Sequence, residues 1–379
     1  MLLDYELLRV IWWVLLGVLL IGFAIMDGFD LGTAICLPWI AKNDAERRIL
    51  INSVGPTWEG NQVWFILGGG AIFAAWPSLY ALSFSGFYLA MFTVLLSLIL
   101  RPVGFKYRSK LLNPLWRSFW DIALFIGGFV PALIFGVAIG NVLQGIPFYF
   151  DEFLRPFYTG TFLGLLNPFA LLCGVLSVLM LTMHGACFIN LKTEKSLQDR
   201  AINTVKWCAL LTILLFIAGG AWIFQQIPGY HLVNVVPHDG PSNPLYKTVA
   251  QSAGDWFNNY KIFPFLTTVP AAGIIGALFA CLFAARYAGV AFFASSISIA
   301  GIIGTVGVSM FPFLLPSSTH PRYSLLLWDS SSSQLTLQIM LIATLIFFPI
   351  ILGYTIWVYR ILRGKVTTKV VESYQEIAY

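Results

Sequence analysis

Charge is what this sequence has least of. Of its 379 residues only 10% are Asp, Glu, Lys or Arg, against about a quarter in ordinary soluble domains, while 58% are hydrophobic and 16% aromatic. A soluble globule could not bury that much apolar surface with so few charges left for water, so the solvent must be lipid. Cysteine is scarce too. Cys36, Cys173, Cys187, Cys208 and Cys281 stand singly in apolar stretches, which excludes a disulfide framework and a thiolate metal site. Histidine numbers four, and only His184 falls in an apolar run. Embedded haem or copper usually needs histidine ligands, so the chain is expected to bind no metal and no haem alone; His184, beside Gly185, reads as a hydrogen-bonded packing residue. The 22 Lys and Arg residues form no aromatic-interleaved stripe, which argues against a nucleic-acid partner.

What is present is a series of long apolar runs, at about 7–39, 50–76, 79–100, 119–143, 162–190, 207–226, 262–285, 288–312 and 335–359. Each has the roughly 20 residues a membrane helix needs. The first lacks a basic leader and outruns a signal-peptide core, so it is expected to stay as a membrane helix. Nine spans put the two ends of the chain on opposite sides. With the N-terminus outside, the inner segments hold 17 basic residues: Lys42, Arg47, Arg48, Arg101, Lys106, Arg108, Lys110, Arg117, Lys192, Lys195, Arg200, Lys206, Arg286, Arg360, Arg363, Lys365 and Lys369. The outer segments hold 5, namely Arg9, Arg155, Lys247, Lys261 and Arg322. The asymmetry supports an all-α, multi-pass membrane protein with the N-terminus outside and the C-terminus in the cytoplasm, built as one integral membrane domain over 1–379. The longest connection, 227–261, is an outer loop or small cap rich in turn residues. A faint internal echo links Gly136–Pro147 with Gly304–Pro316, each a small-residue helix running into an aromatic and proline turn.

Ionisable groups inside spans cost about 2.5–3.5 kcal/mol each at a helix centre, so each calls for a partner or a task. Asp27 and Asp30, three residues apart, share a helix face in the first span, with Gly28 and Gly32 admitting a close neighbour. Glu59 follows the basic turn at Arg47 and Arg48 by roughly 15 Å of helix rise, which places it near mid-membrane. Arg101 ends the third span and Asp121 begins the fourth. The functional reading is a polar track from the inner surface past Asp121, Arg101 and Asp30 (with Asp27) toward Glu59, able to pass protons. The plainer reading pairs Asp30 with Arg101 to orient two helices and makes Asp121 an N-terminal cap. Trp58 and Trp64 sit deeper than the interfacial tryptophans and are candidates for packing beside an embedded ligand.

Six separated segments resemble a known family: Asp27-Gly28-Phe29-Asp30-Leu31-Gly32; Asn43-Asp44 with Glu46-Arg47-Arg48; Trp58-Glu59-Gly60-Asn61-Gln62-Val63-Trp64; Phe84-Ser85-Gly86-Phe87-Tyr88; Arg101-Pro102-Val103-Gly104-Phe105; and Phe311-Pro312-Phe313 leading to Leu327-Trp328-Asp329-Ser330 and Ser333-Gln334-Leu335-Thr336-Leu337. In order and content they are similar to subunit II of the cytochrome bd quinol oxidases. The resemblance implies a bacterial inner-membrane complex that oxidises quinol and reduces dioxygen to water with protons from the cytoplasm. It implies a partner, subunit I, carrying two haems b and one haem d; small single-span accessory subunits; and a haem-free subunit II of two four-helix bundles plus one peripheral helix; whether a structural quinone also sits in a lipid-facing groove is left open. Proton-path candidates are then Glu59, Asp30, Arg101, Asp27 and Asp121, with no catalytic residue in this chain alone. One departure stands out: a histidine is expected before the Trp-acid pair, and this chain has Thr57. Two alternatives remain open from the residues alone: a proton-coupled secondary transporter, and a scaffold that only covers its partner.

Overall fold

The computed structural model describes residues 3–367, so Lys369 in the basic count lies outside the described residues. The first apolar run becomes two helices, α1 (Tyr5–Met26) and α2 (Gly28–Ile40), with a one-residue break at Asp27. The second is also divided, into α3 (Asp44–Val54) and α4 (Trp58–Ala75), parted by the turn at Gly55, Pro56 and Thr57. The third yields α5 (Pro77–Gly86) and α6 (Tyr88–Tyr107). The remaining runs give α7 (Pro114–Gln144), α8 (Pro168–Lys192), α9 (Lys195–Gln226), α11 (Thr268–Phe283), α12 (Ala288–Met310) and α13 (Gln334–Ile361), with a short α10 (Asn258–Ile262) before α11.

Helix starts follow local chemistry. Asn43, Asn113, Asn167 and Ser333 each accept a hydrogen bond from a backbone N–H of the first turn of α3, α7, α8 and α13. Proline then takes the first position of α7 and α8, where its missing N–H costs nothing. Asp121 is therefore no cap: Asn113 fills that role, and Asp121 lies two turns inside α7. Among the described residues, eight helical segments are long and apolar enough to cross a membrane by length and composition. The second expected span falls short of the nine because α4 opens on the polar run Trp58–Gln62.

Packing follows a ring-like order. Helices α8, α9, α11 and α12 contact one another in turn; α1 and α2 join α4 and α7; α6 packs on α7; and α13 lies against α1 and α4. Small residues set the closest approaches. A methyl added at Gly32 would stand 2.0 Å from the Leu181 carbonyl oxygen, and one at Gly301 would stand 2.2 Å from the Gly273 nitrogen. With lipid as solvent, such close backbone contact is what draws helices together.

The connections at one end form hairpins: β1 (Phe148–Phe150) with β2 (Pro156–Tyr158), β3 (Pro228–Leu232) with β4 (Val249–Ala253), and β5 (Phe313–Leu315) with β6 (Leu325–Leu326), all antiparallel. The 227–261 connection is thus a small cap, held by β3 and β4. The two segments that echo one another in sequence meet here, since the Ile146 N–H donates to the Pro316 carbonyl and the Ser318 N–H to the Ile146 carbonyl, each at 3.0 Å.

Candidate functional site around Asp30

The break between α1 and α2 places two carboxylates inside the helix packing. Asp27 and Asp30 are 1% and 0% exposed, and Arg101, reaching in from α6, is 0% exposed. Arg101 grips Asp27 with both terminal nitrogens, Nη2 to Oδ1 at 2.7 Å and Nη1 to Oδ2 at 3.0 Å. This fork geometry is the strong form of the pair. The Arg101 stem lies in a slot over Gly127 of α7, where a methyl would sit 2.9 Å from Arg101 Cγ. The expected Asp30–Arg101 pair is therefore corrected to Asp27–Arg101, because the slot aims the guanidinium at the break in the first span.

Asp30 is held differently. Its Oδ2 accepts from Asn61 Nδ2 at 2.7 Å, and Asn61 Oδ1 in turn accepts from the Tyr359 hydroxyl at 2.8 Å. Among the described residues Asp30 Oδ1 is buried with no hydrogen-bond partner, and so are Arg101 Nε, Trp58 Nε1 and Thr33 Oγ1. Two carboxyl groups face one guanidinium, so gaining or losing one proton at Asp30 changes the formal charge of the group between 0 and −1. Buried polar atoms are normally satisfied, and a concentration of exceptions marks a place where something other than packing is at stake.

Glu59 and Asp121 do not join this group. Asn61 and Glu59 are two residues apart on α4, about 200° around the helix, so the turn that brings Asn61 inward sends Glu59 outward. The Glu59 side chain is 65% exposed on the chain and 3.6 Å from Lys106. Its face on the helix, which decides contact, turns it onto the outside of the chain and away from Asp30. Asp121 lies in a second network, taking Arg108 at 2.5 Å and Arg47 at 2.8 Å, while Asp44 binds Arg108 at 3.0 Å and Arg117 at 2.7 Å. Arg108 is seven residues past Arg101, about 10 Å of helix rise, so the single track resolves into two separate groups.

Trp58 and Trp64 turn inward against the chain itself. Trp58 packs on Phe105 and lies 5.9 Å from the Arg101 guanidinium, and Trp64 presses on Gly22 and Phe348. His184 is a packing residue, its Nδ1 on Ser295 Oγ at 2.8 Å and its Nε2 on the Ile25 carbonyl at 3.0 Å. With both ring nitrogens engaged, it does not suit an axial haem ligand. Among the described residues no group of His, Cys, Asp and Glu could hold a metal ion. Thr57, in place of the expected histidine, spends its hydroxyl on the Val54 carbonyl.

Asn61 and Tyr359 are the members that residue-level reading overlooked. Asn61 follows Trp58 by three positions, a helical spacing that could have marked a shared inward face. Tyr359 stands alone near the end of α13, and nothing in its neighbours points to Asp30.

Known proteins resemble this chain along nearly its whole length. The family model described as cytochrome bd terminal oxidase subunit II matches residues 8–362. A probable cytochrome oxidase subunit 2 of Haemophilus influenzae is 51% identical over 377 residues, covering 99% of this chain and 100% of its own length. The cytochrome bd-I ubiquinol oxidase subunit 2 of Escherichia coli K12 is 50% identical over 370 residues, covering 97% and 98%. The cytochrome bd ubiquinol oxidase subunit 2 of Bacillus subtilis is 32% identical, covering 95% and 97%. A chain of the bd oxidase of Geobacillus thermodenitrificans shares the fold, with TM-score 0.69 at 15% identity over 93% of this chain and 98% of that one.

Proposed function

The chain belongs to the subunit II family of cytochrome bd terminal oxidases, a multi-pass protein of the bacterial inner membrane and one subunit of a quinol-oxidising complex, and we propose that it carries part of the path by which protons reach oxygen reduction. The carrying observation is Asp30, a fully buried carboxylate with one oxygen held by Asn61 and the other without a partner among the described residues. A group so placed can take up and release a proton without breaking an ion pair, because Arg101 is committed to Asp27. Asp27 and Arg101 then orient α1 and α6 and set the field around Asp30. Arg108 and Asp121, bound with Arg47, Asp44 and Arg117, form a second charged group that would face the cytoplasm. Glu59 would take part only from the outside of this chain, where its exposed side chain can meet a partner.

The remaining chemistry is assigned to the partner. Haem-bearing subunit I would hold two haems b and a haem d, which supply the electron transfer from quinol and the binding of oxygen; small single-span subunits would attach alongside. The ring of α8, α9, α11 and α12, with α13 outside the first group of helices, supports two four-helix bundles and a peripheral helix; α4 would be the ninth span, and the basic asymmetry supports an N-terminus outside. Family membership replaces the transporter reading. The scaffold reading has one observation in its favour, the fully buried forked Asp27–Arg101 pair, and applies to those two residues.

The test is Asp30→Asn in the assembled complex. Haem content and subunit ratio should match wild type while oxygen reduction with quinol falls about a hundredfold or more, the lower range for losing a proton-transfer group. An unchanged rate would overturn the proton path, and lost haem would make Asp30 structural.

A further inference from the structure

We propose that Tyr359 is a positioning residue for Asp30, acting through the side-chain amide of Asn61. The inference rests on the proton-path reading of Asp30 above and extends it to a residue on a different helix.

A primary amide has a donating and an accepting end of almost the same shape, and its neighbours alone decide which way it faces. Asn61 has two neighbours in this structure, the Asp30 carboxyl and the Tyr359 hydroxyl. The hydroxyl donates to Asn61 Oδ1 while the carboxylate, which can only accept, takes Nδ2, so the two contacts agree on one orientation of the amide. In that orientation Asn61 supports an ionised Asp30, which can only accept. Were the amide to turn over, its oxygen would face Asp30 and support only a protonated carboxyl, which can donate. Tyr359 therefore anchors the far end of the amide and holds Asn61 against Asp30, where its N–H supports the ionised form.

The surroundings make this choice matter. Among the described residues Asp30 Oδ1 has no partner to compensate a turned amide. The charged and titratable groups packed around Asp30 come from several elements: Asp27 at the α1–α2 break, Arg101 from α6, Tyr359 from α13 and His184 from α8, the last through the Phe29 ring. Arg101 is occupied by Asp27, and His184 by Ser295 and Ile25. Only Asn61 donates to Asp30 among the described side chains, and the far end of that amide rests on one hydroxyl. Tyr359 is itself fixed, its ring meeting Phe29 edge-on at 6.4 Å.

The experiment uses the assembled, haem-loaded complex and the pH–rate profile of quinol-driven oxygen consumption for wild type, Tyr359→Phe, Asn61→Ala, the double variant and Asp30→Asn. Tyr359→Phe keeps the ring and removes only the hydroxyl, so haem content should be unchanged. The acid limb of its profile should move toward alkaline pH by about half a unit, the scale of one reoriented neutral hydrogen bond. Because Tyr359 acts through the amide, it should add no further displacement in the Asn61→Ala background. A Tyr359→Phe profile that superimposes on wild type, or a displacement that persists without the amide, overturns the proposal. Should Tyr359→Phe fail to assemble, Asn61→Ala alone decides, since an unmoved profile there also overturns it. If Asp30→Asn leaves the rate intact, the fault lies in the proton path itself, which keeps the two failures apart.

Discussion

Two buried charged groups, one near the middle of the chain's helices and one under its hairpin cap, differ in how completely they are satisfied. Under the cap, Lys247 and Asp329 pair at 2.5 Å, Lys247 also donates to the Pro244 carbonyl, and the other Asp329 oxygen takes the Leu326 N–H. Arg9 beside them is spent on the carbonyls of His238 and Gly240 and on Ser331. Burial pushes Asp329 above and Lys247 below their ordinary values, and each charge pulls the other partway back. Around Asp30 the count is reversed, with two acids for one base and four polar atoms left over. Saturated groups fix a shape, whereas an unsaturated one retains a reason to exchange a proton.

Breaking one partner of either group should be costly. Lys247→Met strands Asp329, and Arg101→Gln strands Asp27, each at about 3–5 kcal/mol, read as a lower Tm and a lower yield of assembled complex. The second substitution separates the two regions. Lys247→Met with Asp329→Asn should recover both stability and oxidase rate, while Arg101→Gln with Asp27→Asn should recover stability without the rate, because the field around Asp30 has changed. If both double variants recover the rate equally, the contrast between the regions fails.

A smaller effect is expected at Glu59. Its exposed pair with Lys106 is worth about 0–1 kcal/mol, so Glu59→Gln should leave stability intact and slow oxygen consumption far less than Asp30→Asn. An equal slowing would move the path to the outside of this chain.

The smallest effect concerns the cap and acid. Burial works to raise the Asp255 carboxyl, but the hydrogen bonds from His231, the Ser252 N–H and Asn258 hold it below its ordinary value. A depressed carboxylate adds stability above its unfolded value, near about 4, and loses it as the pH falls through the folded one. Amide-exchange protection of β3 and β4 should accordingly be flat above that point and decline below it, and Asp255→Asn should abolish the decline.

Sequence alone determined the solvent, the helical class and the family. Scarcity of charge, run length and basic asymmetry are sums over many residues, so no single misplacement alters them. It also identified Asp27, Asp30 and Arg101 as the ionisable residues to explain, since charge is costly in lipid wherever it points. Only the tertiary structure decided who meets whom. Glu59 and Asn61 stand two positions apart in one motif, yet helix rotation turns one out and the other in. Arg101 has two acids within reach, and Gly127 on a third helix picks Asp27. Tyr359 enters from a helix about 300 residues away from Asn61, 298 in sequence separation. Pairing between helices depends on their rotation and approach, which small residues such as Gly32 and Gly127 set across the packed whole and no local pattern records.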